Sequence, residues 1–286
     1  MKKIFSILFF GLILSFSLFQ TTNAMDLELD GKLALVTGST KGIGYAIAKR
    51  LLMENARVIV NGRKQESVDG AIASLEKETG KKALGFAGDM MKVEDINKLA
   101  ETFPDVEILV NNVGQFQLKQ FEEITDEDWQ YLFNLNVMSG VRLSRHYLPG
   151  MLKRNWGRII FISSESGMQI PVEAIHYGMT KAAQIAVARG LAERVAETGV
   201  TVNSILPGPT RTTGFINLEK RLQAEGKSVD EWYEQFFENA RGTSLIKRLA
   251  DPDEVASLVA YIASPLSSAT TGAALRVDGG VVKSAF

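Results

Sequence analysis

From Gly31 onward the chain alternates short, continuously apolar runs with longer stretches whose apolar positions recur at helical spacing. Leu33-Ala34-Leu35-Val36 is an apolar run closed by Thr37-Gly38, the pattern of a buried strand. Ile43 to Met53 repeats apolar residues at helical intervals and predicts a helix. Arg57-Val58-Ile59-Val60 reads as the second strand, stopped by Asn61-Gly62. The same reading places helices over 64–79 and 93–103 and strands over Ala83–Ala87 and Glu107–Val110. A helical segment over 126–154, with breaks near Gly140 and Pro149-Gly150, leads to the strand Arg158–Ile162. A long helix over 175–198, the strand Val200–Leu206, a helix over 252–263 and the strand Ala273–Val277 complete the pattern. Strands separated by helices of this length become parallel neighbours joined by right-handed crossovers. Strands that are apolar throughout have both sheet faces covered. The expected fold is α/β, a single doubly wound parallel sheet with helices on both faces. Gly214 to Arg241, with Phe215, Trp232, Tyr233, Phe236 and Phe237, falls outside this scheme and reads as a helical insertion or flap.

Residues 1–24 are of another kind. Lys2 and Lys3 precede an apolar run from Ile4 to Phe19, followed by Gln20 and Thr22-Asn23-Ala24. That order is that of a secretory signal with a cleavage site near Ala24, which would export the mature chain to a periplasmic location. The run is short for a membrane-spanning helix, which needs about 20 residues. An uncleaved N-terminal anchor, which would bring a membrane into play, is the second reading. Met25 as the true start, with a cytoplasmic protein, is the third. Residues 25–286 then form one catalytic-sized domain, with no Pro/Gly/Ser-rich linker inside it.

Composition removes several function classes. Net charge is −1 and no basic stripe exists, so a nucleic-acid partner is not expected. Cysteine is absent, which excludes disulfides, thiolate metal sites and cysteine nucleophiles. The two histidines, His146 and His176, are too few for a histidine-based zinc site, and no metal is expected.

Directly after the first strand comes Thr37-Gly38-Ser39-Thr40-Lys41-Gly42-Ile43-Gly44, opening into a helix. Glycines let the backbone turn sharply and approach a pyrophosphate, and a helix N-terminus offers unpaired N–H groups to its charge. The spacing Gly-x-x-x-Gly-x-Gly is longer than the GxGxxG fingerprint, so the turn alone admits both a nucleotide site and plain turn structure. At the end of the second strand, where a carboxylate would bind a ribose 2′-hydroxyl, stands Asn61-Gly62-Arg63-Lys64. A guanidinium suits a 2′-phosphate, so NADP(H) is expected in preference to NAD(H), with Lys41 as a second cation. Arg63 and Lys64 as a merely solvated helix start is the competing reading.

Tyr177 and Lys181 are four apart at the start of the helix over 175–198 and share one face. A tyrosine ordinarily titrates near 10, and an adjacent ammonium lowers that value until the phenol can exchange protons at neutral pH. Ser164, in Ile162-Ser163-Ser164-Glu165-Ser166-Gly167, ends a predicted strand, where α/β sites form.

With these pieces in place the sequence resembles the short-chain dehydrogenase/reductase family, in particular its 3-oxoacyl-carrier-protein reductase-like members, over residues 30–282. The matching pieces stand in family order: Thr37-Gly38, Gly42-Ile43-Gly44, Asp89, Asn111-Asn112-Val113-Gly114, Asn136, Ser164, Tyr177-Gly178-Met179-Thr180-Lys181 and Pro207-Gly208-Pro209-Thr210-Arg211-Thr212. The resemblance implies a Rossmann-type catalytic domain and a hydride transfer between nicotinamide and a carbonyl or secondary alcohol. It implies Tyr177 as proton donor or acceptor, with Lys181 lowering its pKa and holding the nicotinamide ribose. Ser164 would orient the carbonyl, and Asn136 would support a water that relays protons to Lys181. The implied cofactor cleft takes Gly38, Ser39, Thr40, Lys41, Gly42, Ile43 and Gly44 from the turn and Arg63 from the second strand. Asp89 and Met90 would stand at the adenine, with Asn111, Val113 and Gly114 along the cleft. Pro207, Gly208, Thr210 and Thr212 would lie near the carboxamide. Val113 replaces the usual alanine of Asn-Asn-Ala-Gly, a small apolar change. The export-type N-terminus departs from a family that is mostly cytosolic.

The substrate is a small carbonyl or alcohol that the sequence does not name. A 3-oxoacyl-thioester reductase and a non-catalytic NADP(H)-binding or sensing protein remain open, as does a scaffold tethered through residues 1–24. The resemblance also implies a homo-oligomer, tetramer or dimer, built on the long helices. His176 is read as packed or at the surface rather than on substrate, His146 as part of a packed helix, and Glu165 as solvated. The aromatics over 215–237 are either a lid or amphipathic packing.

Overall fold

The computed structural model describes residues 25–285, so the signal-like segment lies outside the described residues. Among them, one seven-stranded sheet carries the fold. Its strands are β1 (Leu33–Val36), β2 (Arg57–Gly62), β3 (Leu84–Ala87), β4 (Ile108–Asn111), β5 (Gly157–Ile162), β6 (Val200–Pro207) and β7 (Ala274–Val277). All pairings are parallel, in the order β3-β2-β1-β4-β5-β6-β7. The chain steps outward from β1 to β3, then returns to place β4 on the other flank of β1, with Ala34 opposite Val58 on one side and Ile108 on the other. That reversal opens a crevice beyond the carboxyl ends of β1 and β4, where α/β sheets hold their ligands.

The helices are α1 (Gly42–Met53), α2 (Gln65–Thr79), α3 (Val93–Thr102), α4 (Asp126–Leu132), α5 (Ser139–Lys153), α6 (Ile175–Arg194), α7 (Thr213–Ala224), α8 (Val229–Gln235) and α9 (Pro252–Ala263). Strand residues alternate between two cores. Ala34, Val36, Val58, Val60, Ile108 and Val110 pack with Ile47 and Leu51 of α1 and Val259 of α9. Leu35, Ile59, Leu109, Ile159 and Phe161 pack with Leu99 of α3, Leu143 of α5 and Ala188 of α6. Each such side chain removed from water contributes roughly 1.5–3 kcal/mol. The period-two division fixes which side of every strand end faces the crevice.

The expected interruptions near Gly140 and Pro149 are not there. α5 runs through both, and the irregularity lies upstream as a π-helical stretch, Phe133–Met138, between α4 and α5. Gly140 serves close packing: a Cβ there would stand 2.8 Å from Phe161 and 3.1 Å from the Asn111 carboxamide carbon. α4 begins on a capping box in which Thr125 and Asp128 satisfy each other's backbone N–H groups. Residues 214–241 form α7, α8 and a second π-helical stretch, Phe236–Ala240. Their aromatics pack on one another, with Trp232 stacked on Phe236 at 5.2 Å and Phe215 edge-on to both.

Candidate active site

The turn after β1 ties down its Gly38 and Ser39 N–H groups on Asn61 and leaves those from Thr40 to Gly44 unpaired among the described residues. Gly38 and Gly42 have φ of +60° and +61°, the left-handed region that glycine enters without strain. α1 starts at Gly42 with no side-chain cap and no acidic residue in its first turn, so the positive end of its dipole is unopposed. Gly44 has no room for a Cβ, which would lie 2.5 Å from Asn112 Nδ2 and 2.7 Å from the Gly38 carbonyl. Ser39 is buried beneath the turn; its Oγ donates to the Val36 carbonyl at 2.6 Å and accepts the Asn61 N–H at 3.0 Å. Thr40 abuts Gly62, where a Cβ would meet its methyl at 2.5 Å. Ile43 packs onto the first core.

Asn61, which entered the sequence reading only as the absence of an acid, is the brace of this turn. It is 1% exposed. Its Oδ1 accepts the Gly38 N–H at 3.1 Å, and its Nδ2 donates to the Phe86 and Gly88 carbonyls, each at 3.2 Å. Thus the ends of β1, β2 and β3 are locked together. Arg63, just beyond, is exposed and has no hydrogen-bond or ion-pair partner among the described residues, and Lys41 in the turn is likewise unpaired. These are the features a dinucleotide phosphate requires, with a guanidinium left over for a further phosphate.

Asp89 closes the turn after β3 by accepting the Met91 N–H at 3.0 Å. Met90 is buried in the second core beside Phe86 and Ile96 and offers the crevice no side chain. Asn111 also departs from expectation: its side chain is buried and its amide donates to Ser144 of α5 at 3.2 Å. Strand alternation is the cause, since Asn111 shares the α5-facing side of β4 with Leu109. The next residue does the work at the turn: Asn112 Nδ2 donates to the Thr37 and Gly38 carbonyls at 2.9 and 3.1 Å. Thr37 Oγ1 accepts the N–H groups of Asn112 and Val113. A Val113 methyl stands 3.2 Å from where a Gly38 Cβ would be. Across the crevice, Pro207 ends β6, and Gly208 presses on Asp278, where a Cβ would meet its carbonyl at 2.6 Å. Thr210 Oγ1 donates to the Gly208 carbonyl at 2.9 Å, and Thr212 comes within 3.7 Å of the Cβ position of Gly42. The loop after β6 therefore reaches the glycine turn.

Ser164, Tyr177 and Lys181 converge between β5 and α6. Lys181 is 4% exposed; its Nζ donates to the Ile162 carbonyl and to Gln184 Oε1, both at 2.9 Å, and lies 5.6 Å from the Tyr177 ring centre. Gln184 in turn donates to the Asn136 backbone carbonyl at 2.7 Å, inside the π stretch. Asn136 is fully buried, its Nδ2 donating to Thr180 Oγ1 at 2.9 Å and its Oδ1 accepting the Gln115 N–H at 2.9 Å. Gly114 leaves room for this meeting: a Cβ there would lie 3.3 Å from Lys181 Nζ and 3.4 Å from Asn136 Oδ1.

The electrostatics differ from the simple expectation that Lys181 lowers the Tyr177 pKa. Burial pushes the Tyr177 phenol up, and the charge of Glu165 pushes it further. The Ser164 hydroxyl and Arg241 pull it down, without reversing the direction. Burial likewise depresses Lys181 to about 7, with Glu165 opposing the fall. At neutral pH the phenol keeps its proton, and the lysine is poised to exchange one.

A matching family model, described as short chain dehydrogenase, covers residues 32–223. The chain belongs to the short-chain dehydrogenase family. It is an oxidoreductase of the kind that acts on carbonyl and alcohol groups. It is 48% identical over 266 residues to an uncharacterized oxidoreductase, YvrD, of Bacillus subtilis, covering 91% of this chain and all of that protein. It is 32% identical to the 3-oxoacyl-[acyl-carrier-protein] reductase FabG of Aquifex aeolicus, over 90% of this chain and all of that protein. Among solved structures, L-sorbose reductase from Gluconobacter frateurii, complexed with NADPH and L-sorbose, matches with a TM-score of 0.83 at 33% identity. That match spans 91% of this chain and all of the reductase.

Two side chains of this short-chain dehydrogenase stand where the sequence reading did not put them. Glu165, expected in solvent, is 5% exposed. It accepts the Ser164 hydroxyl through Oε2, and its Oε1 lies 3.3 Å from Arg241 Nε. A short 3-10 turn, Glu165–Gly167, folds its side chain inward, a local event with no periodic signal. Arg241, at the end of the 214–241 segment, also lies 3.8 Å from Glu173 and carries the flap's contact to the site. His176 is fully buried against Trp129 of α4, with no hydrogen-bond partner on either nitrogen. It packs, as expected, and its pKa is lowered by that burial. His146 is at the exposed face of α5.

Proposed function

We propose that this chain is an NADP(H)-dependent reductase of a small carbonyl compound, with Tyr177 as the proton donor. The observation that carries the reading is the convergence of Ser164, Tyr177 and the buried Lys181 beside a glycine turn whose N–H groups from Thr40 to Gly44 are unpaired, with an unpartnered Arg63 beyond it. A reductase complexed with NADPH and a second, actinorhodin polyketide ketoreductase with NADPH, are both similar over nearly the whole chain, which supports the choice of dinucleotide. The pyrophosphate would rest on the N-terminus of α1 and the 2′-phosphate on Arg63. When bound, the dinucleotide supplies the hydride.

The remaining chemistry belongs to the chain. Tyr177 donates to the carbonyl oxygen, and the Ser164 hydroxyl, which gives its one proton to Glu165 in the free protein, turns to that oxygen when substrate binds. Tyr177, kept protonated by burial, gives its proton to that oxygen as negative charge develops there. Lys181, with its pKa near 7, restores the phenol and is held in place by Ile162 and Gln184. Asn136 fixes Gln184 through its backbone carbonyl.

Tyr177→Phe should lower kcat by about 10²–10⁴-fold, the usual worth of a positioned proton donor, while NADPH binding followed by fluorescence stays within a few-fold. Near-full turnover in that variant would remove Tyr177 from the role. Arg63→Ala should weaken NADPH and leave NADH almost unaffected; equal affinity for the two in the unmutated protein would overturn the cofactor assignment.

A further inference from the structure

Beside the reacting groups lies a cavity of about 390 Å³, within the ~300–1,000 Å³ usual for small-molecule sites. Five of its walls are polar side chains: Glu165, Gln169, Glu173, Asn239 and Arg241. Apolar residues are the minority. Glu165 joins the cavity to the reaction centre, because its Oε2 takes the Ser164 hydroxyl while Oε1 faces Arg241. A carboxylate accepts about four hydrogen bonds, so Glu165 retains capacity after these two contacts.

Arg241 is similarly under-used. Its Nη1 donates to the Ala240 carbonyl at 2.7 Å, but Nε is buried without an acceptor in bonding geometry, and the Glu173 carboxylate at 3.8 Å is beyond a direct hydrogen bond. Buried polar groups left in this state favour a ligand that supplies the missing partners. The cavity holds one more carboxylate than guanidinium, which disfavours an anionic ligand. Ile170, Pro171, Ala240 and Val281 line the rest, but an alkyl chain laid across Glu165, Glu173 and Arg241 would displace hydrogen-bond partners without replacing them.

We infer that the cavity walled by Glu165, Glu173 and Arg241 binds the hydroxyls of an uncharged polyhydroxylated ketone and sets the enzyme's substrate class. Hydroxyls donate to the two carboxylates and accept from Arg241, while the carbonyl stays between Ser164 and Tyr177. Glu165 is the specificity-determining residue nearest the reacting carbon. The inference rests on the reductase reading given above. A site built to bond substrate hydroxyls rejects an analogue lacking them far more strongly than an apolar pocket rejects a missing methylene.

The test uses protein starting at Met25, with NADPH consumption followed against an unphosphorylated ketohexose, its phosphate ester, 2-hexanone and a 3-oxoacyl thioester. The ketohexose should give the highest kcat/KM. The ratio of its kcat/KM to that of 2-hexanone should fall about ten-fold or more in Glu173→Gln and in Arg241→Met, as losing a hydrogen bond to a charged group predicts. Thermal melting of each variant confirms that it is folded. Preference for 2-hexanone, the thioester or the phosphate ester overturns the inference and leaves the reductase reading standing. So does an unmoved ratio in both folded variants. Absence of turnover with every carbonyl, despite NADPH binding, overturns the reductase reading itself and the inference with it.

Discussion

Asn61→Asp is a nearly isosteric change that should be among the most damaging single substitutions in this chain. The oxygen that accepts the Gly38 N–H survives the change. The nitrogen does not: it now donates to the Phe86 and Gly88 carbonyls at 3.2 Å, and a carboxylate oxygen in its place would face two acceptors. A buried carbonyl that loses its donor costs about 1–3 kcal/mol, so the pair costs up to roughly 2–6 kcal/mol before repulsion is counted. That is a large share of the ~5–15 kcal/mol by which a domain is stable. Protonation relieves part of the loss, because the acid's hydroxyl can serve one of the two carbonyls. Burial and the two carbonyls therefore raise the introduced carboxyl's folded-state pKa above its free value of about 3.9. A raised folded-state pKa means that the relief is complete at low pH and disappears as pH rises through the shifted value. Urea unfolding of both proteins at pH 5 and pH 8 measures this directly. The variant's deficit should be larger at pH 8. A deficit below about 1 kcal/mol at pH 8, or one that shrinks with rising pH, would refute the reasoning that the Asn61 amide is needed by those carbonyls.

Gly44→Ala should weaken NADPH binding and lower stability by about 1–3 kcal/mol, the usual penalty of overpacking, since the new methyl would meet Asn112 Nδ2 at 2.5 Å; a wild-type melting temperature would contradict it. Lys181→Met isolates the buried ammonium. The depressed pKa, about 7 against 10.5, means the unfolded chain binds the extra proton between those values, so wild-type stability gains from rising pH there. The wild-type minus Lys181→Met difference should therefore increase from pH 7 to pH 10, by at most about 1.4 kcal/mol per unit, in denaturant titrations; a flat difference would show that Lys181 keeps an ordinary pKa.

Much of the fold was legible because β1 is apolar throughout, β4 up to its last residue and β5 from Ile159 on, with turn residues following, while β6, despite Thr201, Asn203 and Ser204, keeps the apolar Val200, Val202, Ile205 and Leu206. Position along those strands, joined to the glycine turn and the Tyr177–Lys181 spacing, located the crevice. What escaped notice depends on contacts between residues far apart in the chain. Asn61 looks like a turn residue until its partners on β1 and β3 are seen. Asn111 and Asn112 are adjacent, yet only alternation about β4 tells which one turns to α5 and which to the glycine turn. Glu165 reads as a surface acid because nothing near it in sequence announces Arg241, some 76 residues later in the chain by simple difference of their numbers. Proline and glycine in α5 read as breaks in the sequence because the aromatic and amide that crowd Gly140 come from other strands.

The wide turn at Phe133–Met138 makes that segment a device of length rather than of composition. Winding at 3.6 residues per turn advances about 100° per residue. Bonds from i to i+5 put about one more residue into a turn, so deleting one residue there and restoring regular winding would leave α4 and α5 close to their present phase. Trp129 would stay near His176, but the Asn136 carbonyl would return to the helix's own ladder, withdrawing from Gln184 and so from the lysine it steadies. Point changes in the segment should therefore be tolerated more readily than a single-residue deletion, whose effect would be felt in the Asn136–Gln184–Lys181 chain rather than in the packing of α4.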